Sequence, residues 1–297
     1  MKTIPVPKTD IRSWRPIAHK IAALDVEENY EDIARLLYAY EFSWDIERAL
    51  EFALFRTYAI PSISALLANT REFEIRPRKR YDDTELILAE AMEHGQNSDR
   101  GRRAIARMNA MHRRFKIDHA DMVYVLSTFV CEPIRWLDRF GRRSMTAHEQ
   151  RAWFLYHRSL GRRMGIRGIP ESLAEMMRFN TEYEAVNFRF AETNHVIASA
   201  TRDLLLGFYM PRWLFWFGRP LVYAFLDTPL RDSMGFPSAP SWLPRLLTMA
   251  LGLRVDVLRL LPPRRKPRRL TQVLRPTYPE GNRINELGTF GSAETEH

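Results

Sequence analysis

Between residues 82 and 165 helix start and stop signals follow one another so closely that little besides a helical fold fits. Residues 82–94 read as a helix ending at Gly95, the residue type that most readily leaves a helix in a left-handed turn. Ser98 or Asp99 then caps a long helix over 100–116, and Asp118 or His119 opens an apolar one that reaches Arg139 and stops at Gly141. Thr146-Ala-His-Glu149 is a capping box for the next helix, which ends near Gly165. Upstream, helices are predicted over 29–40, from Ser43-Trp44-Asp45 through Phe55, and over the proline-started stretch 60–67. Downstream they are predicted from Pro170 to about Phe188 and over 192–209. Residues 122–130 have a strand-like composition, but their length and neighbours favour a buried helix. The fold class expected is all-α.

At 297 residues the chain is long enough for a sizeable core. It divides into an N-terminal arm (1–28), a helical domain (29–261) and a proline- and arginine-rich tail (262–297) that wraps or leaves the core. Cys131 is the single cysteine, so no internal disulfide framework exists; its apolar setting reads as buried and inert. The first eight residues lack the apolar run of a signal peptide. The most apolar long stretch, 204–226, is broken by Pro211, Arg212, Gly218, Arg219 and Pro220, so no spanning helix is expected. A cytoplasmic protein, peripheral to the inner face of a membrane at most, follows.

Net charge is +9, and it is clustered. Residues 100–116 hold seven basic side chains and no acid; residues 254–276 hold eight against Asp256. A solvated face is the ordinary explanation of each run, and no zinc-ligand spacing or nucleic-acid-reading motif lifts nucleic acid above it. An apolar, arginine-flanked helix beginning at Trp242 precedes the second run, and residues 242–269 together suit contact with an anionic membrane surface.

Phosphate-loop, dinucleotide-binding, nucleophile-elbow and paired-histidine zinc motifs are all absent. Glu90, Glu93 and His94 cluster in sequence, but His94 beside Gly95 is more simply a helix-end histidine favoured by the dipole. The notable arrangement lies between Arg80 and His112. Ala104, Met108, Met111 and Phe115 form one apolar stripe with His112 at its edge, facing inward. Such a helix can set a neutral nitrogen beside a buried flat cofactor such as haem. Arg80 and Thr84, four residues apart, offer a guanidinium and a hydroxyl from one helix face. By themselves these residues fit a packed core histidine and a surface ion pair as well.

Tyr40-Glu-Phe-Ser-Trp-Asp45, Arg56-Thr-Tyr-Ala-Ile-Pro-Ser-Ile-Ser64, Arg78-Lys-Arg-Tyr-Asp-Asp-Thr84, Met111-His-Arg-Arg-Phe115 and Tyr124-Val-Leu-Ser-Thr-Phe129 carry a further signal. Across them the chain resembles the bacterial branch of the oxygenase family that includes MpaB and the latex-clearing rubber oxygenases. Weaker similarity continues through residues 161–166 and 200–206. The resemblance implies an all-α, globin-like core binding haem b, and cleavage or oxidation of a carbon–carbon double bond in an apolar, isoprenoid-like substrate with dioxygen. It assigns His112 as the proximal iron ligand, and Arg80 and Thr84 as donors on the opposite face, toward dioxygen or a haem propionate. Asp83 stands where rubber oxygenases have a lysine that can cap the iron; a carboxylate there could hydrogen-bond bound oxygen or water, so the resemblance places Asp83 with Arg80 and Thr84 among the catalytic candidates. The family's distal glutamate has no match in Pro61-Ser-Ile-Ser-Ala65, and Leu126 stands where several relatives have a second histidine. A non-enzymatic haem-binding protein and a membrane-peripheral helical scaffold are the alternatives.

Overall fold

A computed structural model describes residues 16–288. After α1 (Pro16–Ala23), Asp25 caps α2 (Val26–Leu36), its carboxylate accepting from the amides of Glu27 and Glu28 at 2.9 and 3.0 Å. One π-helical stretch, Leu37–Glu41, joins α2 to α3 (Ser43–Tyr58). Then come α4 (Pro61–Asn69) and the single turn α5 (Glu72–Ile75), followed by α6 (Pro77–His94). Both α4 and α6 start at a proline, whose missing N–H costs nothing in a first turn. Gly95 terminates α6 at φ 87°, a conformation that an L side chain resists.

Ser98 caps α7 (Asp99–His112) through the Gly101 amide at 2.9 Å, and Asp118 caps α8 (His119–Phe140) through Ala120 at 2.7 Å. The capping box at Thr146 and Glu149 opens α9 (Ala147–Arg163). The remaining helices are α10 (Leu173–Asn187), α11 (Glu192–Leu206), α12 (Phe215–Phe225), α13 (Thr228–Ser233) and α14 (Leu243–Leu260). No strand occurs among the described residues, and the fold is all-α as expected.

Three pairings build the body of the fold: α3 on α8, α2 on α9 and α6 on α7. Their shared core includes Ile33, Leu37, Ile46, Leu86, Val130, Trp153, Phe154 and Tyr156. A second cluster, around Phe55, Tyr58, Phe73, Ile197, Tyr223 and Phe236, joins α11–α13 to α3 and α5. Cys131 is buried in the first, and burial pushes its thiol up to about 12, so it is inert as the sequence suggested.

Several boundaries differ from expectation; α6 begins at Pro77 and not at residue 82, which places Arg80 inside the helix. α7 stops at His112, not at Lys116, and Phe115 stands exposed instead of completing the apolar stripe. At the N-terminus α2 begins at Val26, inside the segment expected to be an arm; residues 1–15 lie outside the described residues.

Beyond α14 the chain returns across α6 and α7. Leu270, Ile284 and Leu287 enter the main core, while the Glu93 carboxylate receives the Leu270 amide and, at 2.6 Å, the Thr271 hydroxyl. The expected tail therefore packs onto the helices up to Gly288; its last nine residues lie outside the described ones. Among the described residues no single helix is long and apolar enough to cross a membrane. The bent pair α3–α4, at 96°, passes on length and composition, but much of it serves as core.

Candidate functional site

A cavity of about 460 Å³ runs between α3, α4, α6, α7, α8 and α9. That is within the range of about 300–1,000 Å³ usual for small-molecule and cofactor sites. Apolar side chains, among them Leu54, Leu88, Met108, Leu126 and Phe129, make up most of its wall. His112, Arg80, Thr84 and Asp83 all border it, so the four residues singled out in the sequence converge on one space.

His112 is the last residue of α7 and half buried. Its Nδ1 is enclosed without a hydrogen-bond partner. Burial first, and then the positive charge of Arg80, lower its pKa to about 4. The imidazole is therefore neutral at physiological pH, the form in which histidine binds a metal.

Arg80 comes from α6, where it donates to Thr84 Oγ1, and its guanidinium lies 5.5 Å from the centre of the Phe73 ring. Thr84 in turn donates to the Arg80 carbonyl at 2.9 Å, a bond made one helical turn back. Arg80 also acts on Tyr58: burial raises that phenol to about 12, and the nearby guanidinium opposes the rise. Neither Glu85 nor Asp82 pairs with Arg80; both pair with Arg275, and Asp82 also with Arg78 at 2.9 Å.

Asp83 reaches the cavity wall, but its oxygens are held from elsewhere. Oδ2 accepts from Lys79 Nζ at 2.6 Å, and Oδ1 accepts from the Tyr278 hydroxyl. The carboxylate thus ties the C-terminal segment to α6. Glu90 and Glu93 do not form an iron site with His94. Glu90 is taken by Arg100 at 2.6 and 2.8 Å, Glu93 by residues 270–271, and no group of three metal-binding side chains occurs among the described residues.

The sequence did not point to Glu51, Tyr81 or His157, which also line the cavity. Glu51 accepts from the Tyr81 hydroxyl at 2.9 Å, and burial raises its carboxyl to about 8 although Arg48 opposes this. His157 is held by the Trp153 carbonyl at 2.8 Å from Nδ1, and burial lowers its pKa to about 4. The one local signal for it was position: His157 falls four residues after Trp153 on a helix with an apolar face. Behind the wall, Arg56 donates to Glu184 at 2.7 Å and to Asp227 at 2.6 Å, and the Tyr124 hydroxyl joins Glu184 at 3.1 Å. This network locks α3, α8 and α10, and its carboxylates hold the guanidinium well above its usual pKa.

A neutral imidazole without a hydrogen-bonded competitor, a cation near it and apolar walls suit a haem: they supply an axial nitrogen, a charge partner and a dry pocket. His112 is the residue that would hold the iron.

Comparison with known proteins agrees with the geometry. Residues 49–256 match the family described as ER-bound oxygenase mpaB/B′/rubber oxygenase, catalytic domain. The ER-bound oxygenase mpaB′ of Penicillium brevicompactum is 30% identical over 273 residues, which cover 84% of this chain and 63% of that protein. The mpaB of the same fungus is 34% identical over 161 residues, covering 51% of this chain and 40% of its own length. In Penicillium roqueforti the ER-bound oxygenase mpaB is 28% identical over 238 residues, 74% of this chain and 79% of that protein. The chain thus spans less than two thirds of the length of the two Penicillium brevicompactum relatives. All three relatives are fungal, and they do not assign it to a bacterial branch. With the matched region running from α3 into α14 and supplying most of the cavity wall, the chain belongs to the mpaB/B′ and rubber oxygenase catalytic-domain family.

Proposed function

We propose that the protein is a haem b-dependent oxygenase that cleaves or oxidises a carbon–carbon double bond of an apolar, isoprenoid-like substrate with dioxygen. The observation that carries this reading is the neutral, partnerless His112 imidazole beside Arg80 in a largely apolar cavity. When bound, haem supplies the activation of dioxygen, which no side chain in the cavity can perform.

The chain's own residues then have separable tasks. His112 holds the iron through a nitrogen that no proton occupies above pH about 4. Arg80, steadied by Thr84 and by the Phe73 ring, is the one cation of the set placed to stabilise developing negative charge or a propionate. Leu54, Leu88, Leu126 and Phe129 exclude water and accept a hydrocarbon chain. Glu51, protonated or ionised according to pH near 8 and accepting from the Tyr81 hydroxyl, is a carboxyl on the wall that can hold or release a proton. The relatives are named as ER-bound; for this chain we infer a peripheral position on the cytoplasmic side of a membrane.

The test is spectroscopic. Protein produced with haem supply should show a Soret band that shifts with added axial ligands, and it should consume oxygen with a prenylated compound. A Soret band without turnover of any polyprenyl compound would make the protein a haem binder. Absence of the band after haem supplementation would end the haem reading altogether.

A further inference from the structure

Apolar side chains left facing solvent are gathered on one part of the molecule. Eighteen large apolar residues stand exposed among the described residues, and thirteen of them lie between residues 209 and 274. Five are on α14: Leu246, Met249, Leu253, Val257 and Leu260. At about 100° per residue they fall within an arc of roughly 80°, and Met249 and Leu260 are 71% and 82% exposed.

α14 is nonetheless firmly seated by its other side. Leu243 and Val255 are buried, Leu251 packs against the Trp136–Phe140 group, and Arg254 lies 3.8 Å from the centre of the Trp44 ring while donating to Asp45 at 3.0 Å. The outward stripe is thus a displayed face of an anchored helix. α12 packs on α14, and the turn leading into it adds to the same region. Trp213, Trp216 and Phe217 there are 73%, 64% and 57% exposed, and Trp242, just before α14, is 60% exposed.

Charge decides what this face fits. Residues 242–269 contain eight basic side chains and one acid, Asp256, which Arg259 occupies at 3.1 Å. Arg264, Arg265 and Lys266 follow the stripe directly; they are exposed and form no ion pair among the described residues. Tryptophans belong at the boundary between headgroups and acyl chains, and unpaired lysines and arginines beside them favour anionic lipid. α14 itself is too polar to cross a bilayer.

We propose that the α12–α14 face seats on an anionic bilayer, with α14 lying in the plane of the interface and Trp213, Trp216 and Trp242 at headgroup depth. A protein partner of acidic surface would exploit the charge but not a linear stripe of aliphatic side chains rimmed by three tryptophans. The inference stands apart from the oxygenase reading, since none of these residues lines the cavity.

Sedimentation with lipid vesicles tests it on the full chain. Vesicles of phosphatidylcholine with phosphatidylserine should bind the protein, those of phosphatidylcholine much less, and added salt should release it. Replacing Arg264, Arg265 and Lys266 by Gln should lower the partition coefficient by about fivefold per residue. Trp213→Ser with Trp216→Ser should lower it on the order of tenfold. Helical signal, thermal midpoint and any Soret band should stay unchanged in both variants, because every replaced side chain is exposed. Equal binding to both vesicle types, binding to neither, or parent-like binding by the variants would overturn the proposal. So would a dimer that the tryptophan variant loses in the absence of vesicle binding, which would assign the face to self-association.

Discussion

The Arg275 guanidinium donates to the Asp82 carboxylate at 2.8 Å, joining residues 193 positions apart. Asp82 is completely buried, two residues from Arg80 and two from Thr84, so the C-terminal segment bears directly on the helix that furnishes one side of the cavity. Thr277 donates to the same carboxylate at 2.7 Å, and Arg275 also pairs with Glu85, whose carboxyl burial pushes up while the guanidinium pulls it down.

Arg275→Ala should therefore be among the more damaging substitutions in the chain. It would leave the Glu85 carboxylate without its cation and Asp82 with Arg78 alone, and breaking a buried pair costs about 3–5 kcal/mol. Urea denaturation should show a lowered midpoint with little change in slope. Glu85→Gln in the same background should recover part of the loss, since it removes the stranded charge; a double variant no better than Arg275→Ala would contradict this account.

The same residue shows where the sequence stopped being informative. Helix starts and stops were legible because Ser98, Asp118, Thr146 and Gly95 act on amides and carbonyls within a few residues of themselves. His112 was legible because a helix imposes a period, and the expected convergence of Arg80, Thr84 and His112 is what the cavity displays. Arg275 was invisible: in the sequence it is one more basic residue in a basic run, and nothing local distinguishes a solvated arginine from one buried against a partner 193 residues away. Asp83 was read as a residue facing the cofactor because the resemblance aligned it there, whereas Tyr278 and Lys79 claim its oxygens. The overlong α7 has a similar origin, as the apolar period continued to Phe115 after the backbone had already turned.

Gly101 sets the approach of α7 to α6. A Cβ there would lie 2.0 Å from the Gly95 carbonyl oxygen, which is backbone and cannot swing aside. Gly101→Ala should destabilise the fold by about 1–3 kcal/mol and shift His112 relative to Arg80. Calorimetry should find a lowered midpoint, and ligand binding in the cavity should weaken with it. A variant as stable as the parent would show that the turn at residues 95–98 has room to move.

Acid should weaken the fold through two histidines. His112 and His157 both have folded pKa values near 4, below the usual 6.5, so between those limits the unfolded chain takes up protons that the native one refuses. Stability contributed by the neutral rings is complete above about 6.5, declines as pH falls toward 4, and then levels. Each ring adds up to about 1.4 kcal/mol per pH unit to the slope inside that window. Denaturation at a series of pH values should show the decline, and His157→Gln should make it shallower even if the variant is less stable overall. An unaltered slope would mean that His157 titrates normally in the native state.

The remaining prediction separates the two sides of the cavity. His112→Ala removes the nitrogen proposed to hold iron, yet the residue ends its helix and makes no hydrogen bond through Nδ1, so the fold should survive. Haem content should drop sharply while helical signal and soluble yield persist. Arg80→Ala should behave differently, keeping the Soret band and losing oxygen consumption by roughly 100-fold or more, the scale on which removal of one preorganised donor acts. Thr84→Val, which takes away only the hydroxyl that steadies Arg80, should fall between parent and Arg80→Ala in turnover. Full haem content in His112→Ala with unchanged axial-ligand spectra would refute the ligand assignment. Loss of haem in Arg80→Ala would instead make Arg80 a propionate anchor, moving its charge from the chemistry to the binding of the cofactor.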